Sequence, residues 1–420
     1  MATDIASGSS ADARGSAPAP SRVKRQYFAE LQGIRALAVL AVITIHSAFT
    51  AGQIGFMGKP GNGFFAIILE RVTRESLPIL FALSGFLLYR PFVLASMAGA
   101  PKPDLKSYAW RRVLRIGPAY WLLAVVMLLT LGREQVTGVW YVVRVLVMQH
   151  VYQAGAIPTG MESTWSMATE TLFYALLPIF AWLFARFARG ASGPAGQARR
   201  LLVGVALIAL VAYAFSAYSH LPSLGPWPVQ GNWPIGWFGY LAVGMALAVL
   251  SAAAETSPDG MLAPYRLIAR HQGATWAVAA VVILLFCFSP VGGQGTSDYP
   301  TLAQVMFDQP IDLLIVFLLL APLTVPGERS KFIAATMTWR PLQFIGKVSY
   351  GMFLWHIPMI YFYNGSMVGG SNFPRTLLVV VAGSFLAAVV SYYLVERPAL
   401  NLRNRFGKAS REPSTPVLVR

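Results

Sequence analysis

The sequence predicts an all-α integral membrane protein with about ten transmembrane helices and both termini in the cytoplasm. Hydrophobic residues make up 56% of the 420-residue chain and charged residues only 12%, about half the charged fraction of a typical soluble domain. Several apolar runs approach the ~20 residues that a helix needs to cross a bilayer. This composition excludes a water-soluble enzyme, a disordered protein and a coiled coil, and runs of this length indicate helices instead of a β-barrel.

The apolar runs place the spans along the chain. The ten predicted spans cover residues 34–52, 77–95, 113–131, 165–184, 201–218, 235–251, 274–288, 307–325, 344–363 and 376–395. The stretch 139–151 is shorter and charged, and we interpret it as an interfacial helix. With the N-terminus inside, the cytoplasmic segments hold most of the 33 Lys and Arg residues, as the positive-inside rule requires. The net charge of +16 is therefore assigned to these loops and not to nucleic-acid binding.

One membrane domain accounts for most of the chain. We predict a transmembrane domain over residues 28–403, a disordered cytoplasmic tail rich in Ala, Ser, Gly and Pro over residues 1–27, and a second cytoplasmic tail over 404–420. The predicted location is the inner (plasma) membrane, with multiple spans. The single cysteine, Cys287, excludes an internal disulfide, and the absence of clustered ligands predicts no metal site and no bound cofactor.

The first span combines a cation and an imidazole on one helix face. Arg35 and His46 are eleven residues apart, a spacing that returns to within about 20° of the same face and covers about 16.5 Å of depth. Ionisable groups inside spans are costly and therefore functional candidates. The alternatives are a snorkelling positive-inside residue for Arg35 and a helix-packing hydrogen bond for His46.

Further polar residues lie in or beside the other spans. Arg112 and Arg115 share a face at the start of span three, and with Arg35 they could form a basic cluster suited to a polyphosphate, although positive-inside charge also explains each of them. Glu170 lies near the depth of His46 and is a candidate partner for it. His356 also lies past the midplane of its span.

Three further observations complete the inventory of polar and small residues. Asp308 and Asp312 are interpreted as residues of a water-facing helix start. His150, which lies between spans, is expected to be solvated. The pair Ser84-Gly85 indicates close helix packing.

Six motifs in order resemble the membrane acyltransferase-3 family over residues 28–403. They are Leu31-Gln32-Gly33-Ile34-Arg35-Ala36-Leu37 with His46, Leu83-Ser84-Gly85-Phe86-Leu87, Arg112-Val113-Leu114-Arg115-Ile116 with Pro118, Trp165-Ser166-Met167 with Glu170, Ser349-Tyr350-Gly351 with His356, and Glu396-Arg397-Pro398. The family includes bacterial O-acetyltransferases of cell-surface polysaccharides. Two departures are that Thr171 follows Glu170 where members often have a second acid, and that no SGNH hydrolase-like domain follows the last span.

The resemblance implies roles for the polar residues. It places the family's catalytic pair on Arg35 and His46 and its paired-arginine motif on Arg112 and Arg115. We therefore expect these three arginines to bind acyl-CoA, the co-substrate, at the cytoplasmic mouth. His46 would then act as the general base on an acceptor hydroxyl.

The remaining assignments concern the acceptor side of the site and the partners. We expect Glu170 to orient His46, and His356, Tyr350 and Trp165 to lie on the acceptor side or behind the catalytic residues. The acceptor is a hydroxyl-bearing carbohydrate or lipid-linked compound in contact with the bilayer. A separate extracytoplasmic acyltransferase partner would supply any second acyl carrier.

The residues leave several alternatives open. Transfer could pass through a transient acyl-imidazole. Buried His, Arg, Glu and Asp in ten spans would also suit a proton-coupled transporter or exporter of an envelope precursor, and a non-catalytic scaffold is a third class. The acceptor could be a sugar, glycolipid, peptidoglycan or small metabolite, and the acyl group acetyl or longer.

Overall fold

The computed structural model describes residues 28–55, 63–257, 260–289, 299–327 and 330–404. Helices without any β-strand make up the regular structure of these residues. The helices are α1 (Glu30–Thr50), α2 (Gly63–Arg74), α3 (Ser76–Met97), α4 (Leu105–Leu129), α5 (Val139–Leu146), α6 (Trp165–Ala188), α7 (Gly193–Ser219), α8 (Pro234–Thr256), α9 (Ala263–Arg270), α10 (Gln272–Cys287), α11 (Leu302–Thr324), α12 (Lys331–Met337), α13 (Arg340–Asn364), α14 (Phe373–Ser391) and α15 (Arg397–Asn401). The two predicted tails lie outside the described residues, apart from position 404.

Every predicted span coincides with a long helix, so the all-α membrane fold is confirmed. Within the described ranges, eight helical stretches are long and apolar enough to cross a membrane. A ninth results if α9 and α10, which meet at a 100° bend, count as one broken span. Helix α13 occupies the ninth predicted span and has 25 residues, but its Tyr, Trp and His side chains make it less apolar. The count of ten spans and the location of the termini stay predictions.

The buried side chains form two packing clusters with α1 between them. One cluster is built mainly from α3, α6, α7, α8 and α11, and the other from α1, α4, α13 and α14. Helix α1 contributes Leu31 and Ala38 to the first and Val39 and Ile43 to the second. The polar residues of α1 therefore lie between the two clusters, where apolar side chains do not fill all of the space.

Glycines allow the helices of both clusters to approach backbone to backbone. A Cβ on Gly244 of α8 would lie 1.8 Å from the carbonyl oxygen of Ala82 in α3, and one on Gly85 would lie 2.1 Å from that of Leu241. The predicted close packing at Ser84-Gly85 is thus present. On the other side, a Cβ on Gly346 of α13 would lie 2.2 Å from the carbonyl oxygen of Gln32 in α1. Small residues at helix crossings are the main device for tight packing in membranes.

The last helices include an irregular turn that carries a charge inward. Helix α14 continues into a π-helical turn over Tyr392–Glu396 before α15 begins. Such turns inside helices often occur at functional sites. Here the turn directs the buried Glu396 towards Arg115 of α4, with 3.7 Å between a carboxylate oxygen and a guanidinium nitrogen.

We expect Gly244→Ala to destabilise the protein, because the new methyl group would collide with a backbone carbonyl group, which cannot move aside as a side chain can. Forced overpacking typically costs about 1–3 kcal/mol or more. The measurement is thermal unfolding of the purified protein in detergent. Gly273→Ala in α10 is the matched control, because its Cβ would meet nothing within 4 Å; equal melting temperatures for the two variants would contradict the close α3–α8 contact.

Candidate active site between two cavities

The first cavity lies at the Arg35 end of the bundle and has a volume of about 120 Å³. We call it the arginine cavity. Its polar lining comprises Arg35, Ser84, Arg112, Arg115, Ser166, Glu170, Tyr174, Ser349 and Tyr350. Helices α1, α3, α4, α6 and α13 each contribute, so the three predicted donor-site arginines, which are distant in sequence, do line one space.

Guanidinium groups dominate the charge of the arginine cavity. Arg112 lies over the ring of Tyr174 at 5.9 Å, and Arg115 over that of Tyr350 at 5.6 Å, measured from the guanidinium carbon to the ring centroid. The buried Nε of Arg112 has no hydrogen-bond partner among the described residues. An unsatisfied donor inside a cation-rich cavity favours an anionic ligand, since phosphate and carboxylate oxygens accept charge-assisted hydrogen bonds from arginine.

Glu170 lies with the arginines, and its predicted pairing with His46 is wrong. One carboxylate oxygen accepts a hydrogen bond from the hydroxyl of Ser84 and the other from that of Tyr174, each at 2.8 Å. The sequence predicts that Glu170 reaches the depth of His46, but Glu170 lines the arginine cavity together with Arg35, and His46 does not. Its carboxylate therefore balances part of the positive charge there.

The second cavity contains His46 and has a volume of about 310 Å³. We call it the histidine cavity; its lining includes Ile45, His46, Phe49, Arg74, Ser76, Trp165, Trp237, Tyr240, Asp312 and Phe353. The Nδ1 atom of His46 lies 2.8 Å from the carbonyl oxygen of Val42. Because a carbonyl only accepts, Nδ1 carries the proton, and Nε2 of the neutral ring keeps the lone pair that a base requires.

His356 is the immediate neighbour of His46. The two ring centroids are 5.0 Å apart, and His356 is fully buried. Its Nδ1 donates to the carbonyl oxygen of Phe353 at 2.6 Å, while its Nε2 has no partner among the described residues. His356 therefore lies directly beside His46, and the roles of both residues stay predictions.

Two apolar side chains separate the cavities. Leu77 of α3 and Phe353 of α13 line both the arginine cavity and the histidine cavity. On α1, Arg35 lines one cavity and His46 the other, so the eleven residues between them carry the helix past Leu77 and Phe353. A molecule in either cavity thus reaches the level of this divider without crossing the bundle.

The other two predicted acceptor-side residues lie on different sides. Trp165 lines the histidine cavity, with its ring 4.5 Å from that of Trp237. Tyr350 does not: it lines the arginine cavity and donates its hydroxyl to the carbonyl oxygen of Ile116 at 2.8 Å. Tyr350 lies at mid-helix, six residues before His356, and this separation along α13 places it on the other side of the divider.

A buried ionic cluster was missed by the sequence reasoning. Asp308 and Asp312 are only 3% and 1% exposed, so their assignment to a water-facing helix start is wrong. Arg74 donates to Asp308 at 2.9 Å and to Asp312 at 3.1 Å, and Arg71 lies 3.4 Å from Asp308. The sequence does contain a signal. The two aspartates are four positions apart on α11 and the two arginines three positions apart on α2, so the residues of each pair lie on one helix face.

His150 is also buried and not solvated as expected. The hydroxyl of Thr164 donates to the carbonyl oxygen of Met161 at 2.7 Å, and it therefore accepts from Nε2 of His150 at 3.0 Å. Burial lowers the pKa of His150 to about 4, so the ring is neutral near pH 7. This contact fixes the residue directly before Trp165.

A third cavity adjoins the histidine cavity at the end of α1. It has a volume of about 570 Å³ and shares Phe49, Arg74, Trp237, Tyr240 and Asp312 with the histidine cavity. We call these two adjoining spaces together the outer chamber. Its mouth lies where α7 ends and where α8 and α11 begin.

Comparison with known proteins assigns the chain to a family. The family profile described as an acyltransferase domain, acyltransferase-3, matches residues 28–396. The chain belongs to this family. It is similar to the peptidoglycan O-acetyltransferase OatA of Listeria monocytogenes, with 24% identity over 393 residues, covering 90% of this chain and 56% of that protein. It is also similar to the O-acetyltransferase OatA of Staphylococcus aureus, with 24% identity over 397 residues, covering 89% and 57%.

The family match and the long apolar helices together indicate a multi-pass membrane protein with an acyltransferase domain. The chain spans a little over half the length of the relatives that it matches. No solved structure matches the chain. The transporter alternative is not favoured by these findings.

The two-cavity arrangement predicts one-sided labelling of introduced cysteines. In a Cys287→Ser background, Ser84→Cys should react with a membrane-impermeant thiol reagent from the Arg35 side only, and Ser76→Cys from the His46 side only. Sealed vesicles of both orientations provide the measurement. Reaction of either cysteine from both sides would show that Leu77 and Phe353 do not separate the cavities.

Proposed function

We propose that the protein transfers an acyl group, acetyl in the simplest case, from cytoplasmic acyl-CoA to a hydroxyl of an envelope glycan. The observation that carries this proposal is the meeting of the arginine cavity and the outer chamber at one divider, with His46 beside it. Two substrates held on opposite sides of a membrane can react there although neither crosses it.

The charge of the arginine cavity supports acyl-CoA as the donor. Arg35, Arg112 and Arg115 would bind its phosphates, and the unpartnered Nε of Arg112 offers a donor that the protein leaves unused. The depth of about 16.5 Å between Arg35 and His46 is comparable to an extended pantetheine arm. A thioester carried on that arm would reach the divider while the nucleotide remained at the predicted cytoplasmic end.

The tautomer of His46 supports a general-base role. Its Nε2 lone pair would take the proton of the acceptor hydroxyl while the oxygen attacks the thioester carbonyl. A C–O bond forms, the C–S bond breaks, and the proton passes from the imidazolium to the departing thiolate. The products are an ester and free CoA, so no proton is gained or lost overall.

Two further residues fit supporting roles. The buried ring of His356 packs against His46 and limits its motion. Glu170, held by Ser84 and Tyr174, would reduce the repulsion among the three guanidinium groups of the arginine cavity. The names of the relatives favour peptidoglycan or another envelope glycan as the acceptor.

We expect His46→Ala to lower kcat for acyl transfer at least about 100-fold, because general-base catalysis typically contributes ~10²–10⁴-fold. The measurement is release of CoA from acetyl-CoA by the purified protein in nanodiscs, with acceptor present. His271→Ala replaces an exposed histidine outside both cavities and should retain activity. Unchanged turnover in the His46 variant would exclude this mechanism. If the unsubstituted protein, given radiolabelled acetyl-CoA without acceptor, carried the labelled acyl group on His46, transfer would proceed through an acyl-imidazole instead of directly.

We expect Arg112→Gln to raise KM for acetyl-CoA roughly tenfold, because the variant removes a charge-assisted contact, and to leave KM for the acceptor within about twofold. Initial rates with each substrate varied in turn provide the measurement. Arg111→Gln, an exposed neighbour on the same helix, is the control. A similar increase in both KM values would argue against phosphate binding in this cavity.

A further inference from the structure

The outer chamber holds one arginine whose charge is already balanced. Arg74 donates to Asp308 and Asp312, which fix its guanidinium from behind. A guanidinium has five N–H donors, and these two contacts leave some of them for the chamber, into which 29% of the side chain is exposed. Arg74 lines both parts of the chamber and is therefore a positioned hydrogen-bond donor with little net attraction for an anion.

The other charges around Arg74 reinforce this balance. Arg71 is paired with Asp308, and Glu70 and Glu75 are buried close to the two arginines without lining the chamber. In the described part of the lining, Arg74 and Asp312 are the charged residues. The chamber also contains His220, whose pKa is lowered by burial and whose ring is thus neutral near pH 7. A carboxylate on a ligand would meet Asp312 and no unpaired cation.

Aromatic rings line the chamber at two levels. Near His46, the ring of Trp237 lies 4.5 Å from that of Trp165 and 5.9 Å from that of Tyr240. At the mouth, Tyr299 lies 5.4 Å from Trp227, between ring centroids. Aromatic faces are electron-rich, and the C–H groups on the flat side of a pyranose pack against them favourably.

An amide group completes the polar lining. The side-chain nitrogen of Gln309 donates to the carbonyl oxygen of Gly236 at 3.3 Å. Its oxygen is buried and has no donor among the described residues. Because an unsatisfied buried acceptor is costly, a ligand hydroxyl in the chamber would satisfy it.

We infer that the outer chamber binds the acceptor through an uncharged carbohydrate portion, with Arg74 and Gln309 contacting its hydroxyls and the aromatic rings packing on its C–H faces. This inference rests on the proposed function and specifies its acceptor. It distinguishes neutral saccharides from acidic ones. An acidic saccharide would bind more weakly, because Asp312 lines the chamber and the charge of Arg74 is already balanced. Arg74 and Gln309 are positioning residues, because they contact the acceptor away from the reacting atoms.

The binding test uses a protein that does not turn over. Chitotetraose, an uncharged N-acetylglucosamine tetramer, is titrated by calorimetry into the His46→Ala variant in nanodiscs, and tetragalacturonate is the acidic probe. We expect chitotetraose to bind and tetragalacturonate to bind at least about tenfold more weakly. Adding Trp227→Ala should weaken chitotetraose binding roughly tenfold, and Trp227→Phe should restore most of it.

The control is another exposed tryptophan. Trp227 is 52% exposed at the mouth of the chamber, and Trp140 is 72% exposed on α5 outside it. Both can be replaced with little expected effect on folding, and Trp140→Ala should bind chitotetraose normally. In the active protein, Trp227→Ala should raise KM for the saccharide and leave KM for acetyl-CoA within about twofold.

The outcomes separate this inference from the proposed function. Binding of neither probe, equal or tighter binding of the acidic probe, or no effect of Trp227→Ala would overturn the chamber assignment. If CoA release still depends on His46 in that case, acyl transfer stands and only the acceptor class falls. Saccharide binding without His46-dependent CoA release would overturn the proposed reaction instead.

Discussion

Contact between helix backbones without intervening side chains is the constraint on which the site depends. Gly85 and Gly244 bring α3 against α8, and Gly346 brings α13 against α1. Lipid offers helices little hydrophobic reason to associate, so packing at small residues holds them together. These contacts fix α1, α3 and α13, which carry Arg35, Leu77 and Phe353, and so they determine how narrow the passage between the two cavities is. A looser bundle would admit water between the two clusters along their whole length.

Charge is distributed along the bundle in a way that fits a two-sided reaction. One end has an excess of guanidinium groups around Arg112, with Glu170 as the carboxylate that lines the same space. The middle has apolar side chains and the rings of His46 and His356. The other end has charges that neutralise one another, as in the pair of Arg74 and Asp312. In the proposed reaction, an anionic donor would be attracted to one end only, and the reacting groups would meet where few fixed charges compete with them.

The sequence predicts where helices lie along the chain better than it predicts which polar residues meet. Run lengths placed a helix at each of the ten predicted spans, and the eleven-residue spacing of Arg35 and His46 carried one side chain to each of two cavities. Glu170 was expected at the depth of His46 but lies with Arg35, because its neighbours depend on how α6 packs against α3 and α4. The aspartates of α11 were misread because their partners, Arg71 and Arg74, lie in a segment that appeared to be an outer loop. Hydropathy alone carries no information about such pairs, since each partner is interpreted within its own segment.

The divider formed by Leu77 and Phe353 also has an electrical consequence. If water fills the cavities on both sides, the membrane potential falls mainly across these side chains and the neutral histidine rings instead of across the full bilayer. In the proposed reaction, a proton moves from a hydroxyl on one side to a sulfur on the other. Moving one charge across the full potential is worth about 2.3 kcal/mol per 100 mV. The rate of acyl transfer would therefore depend on the membrane potential.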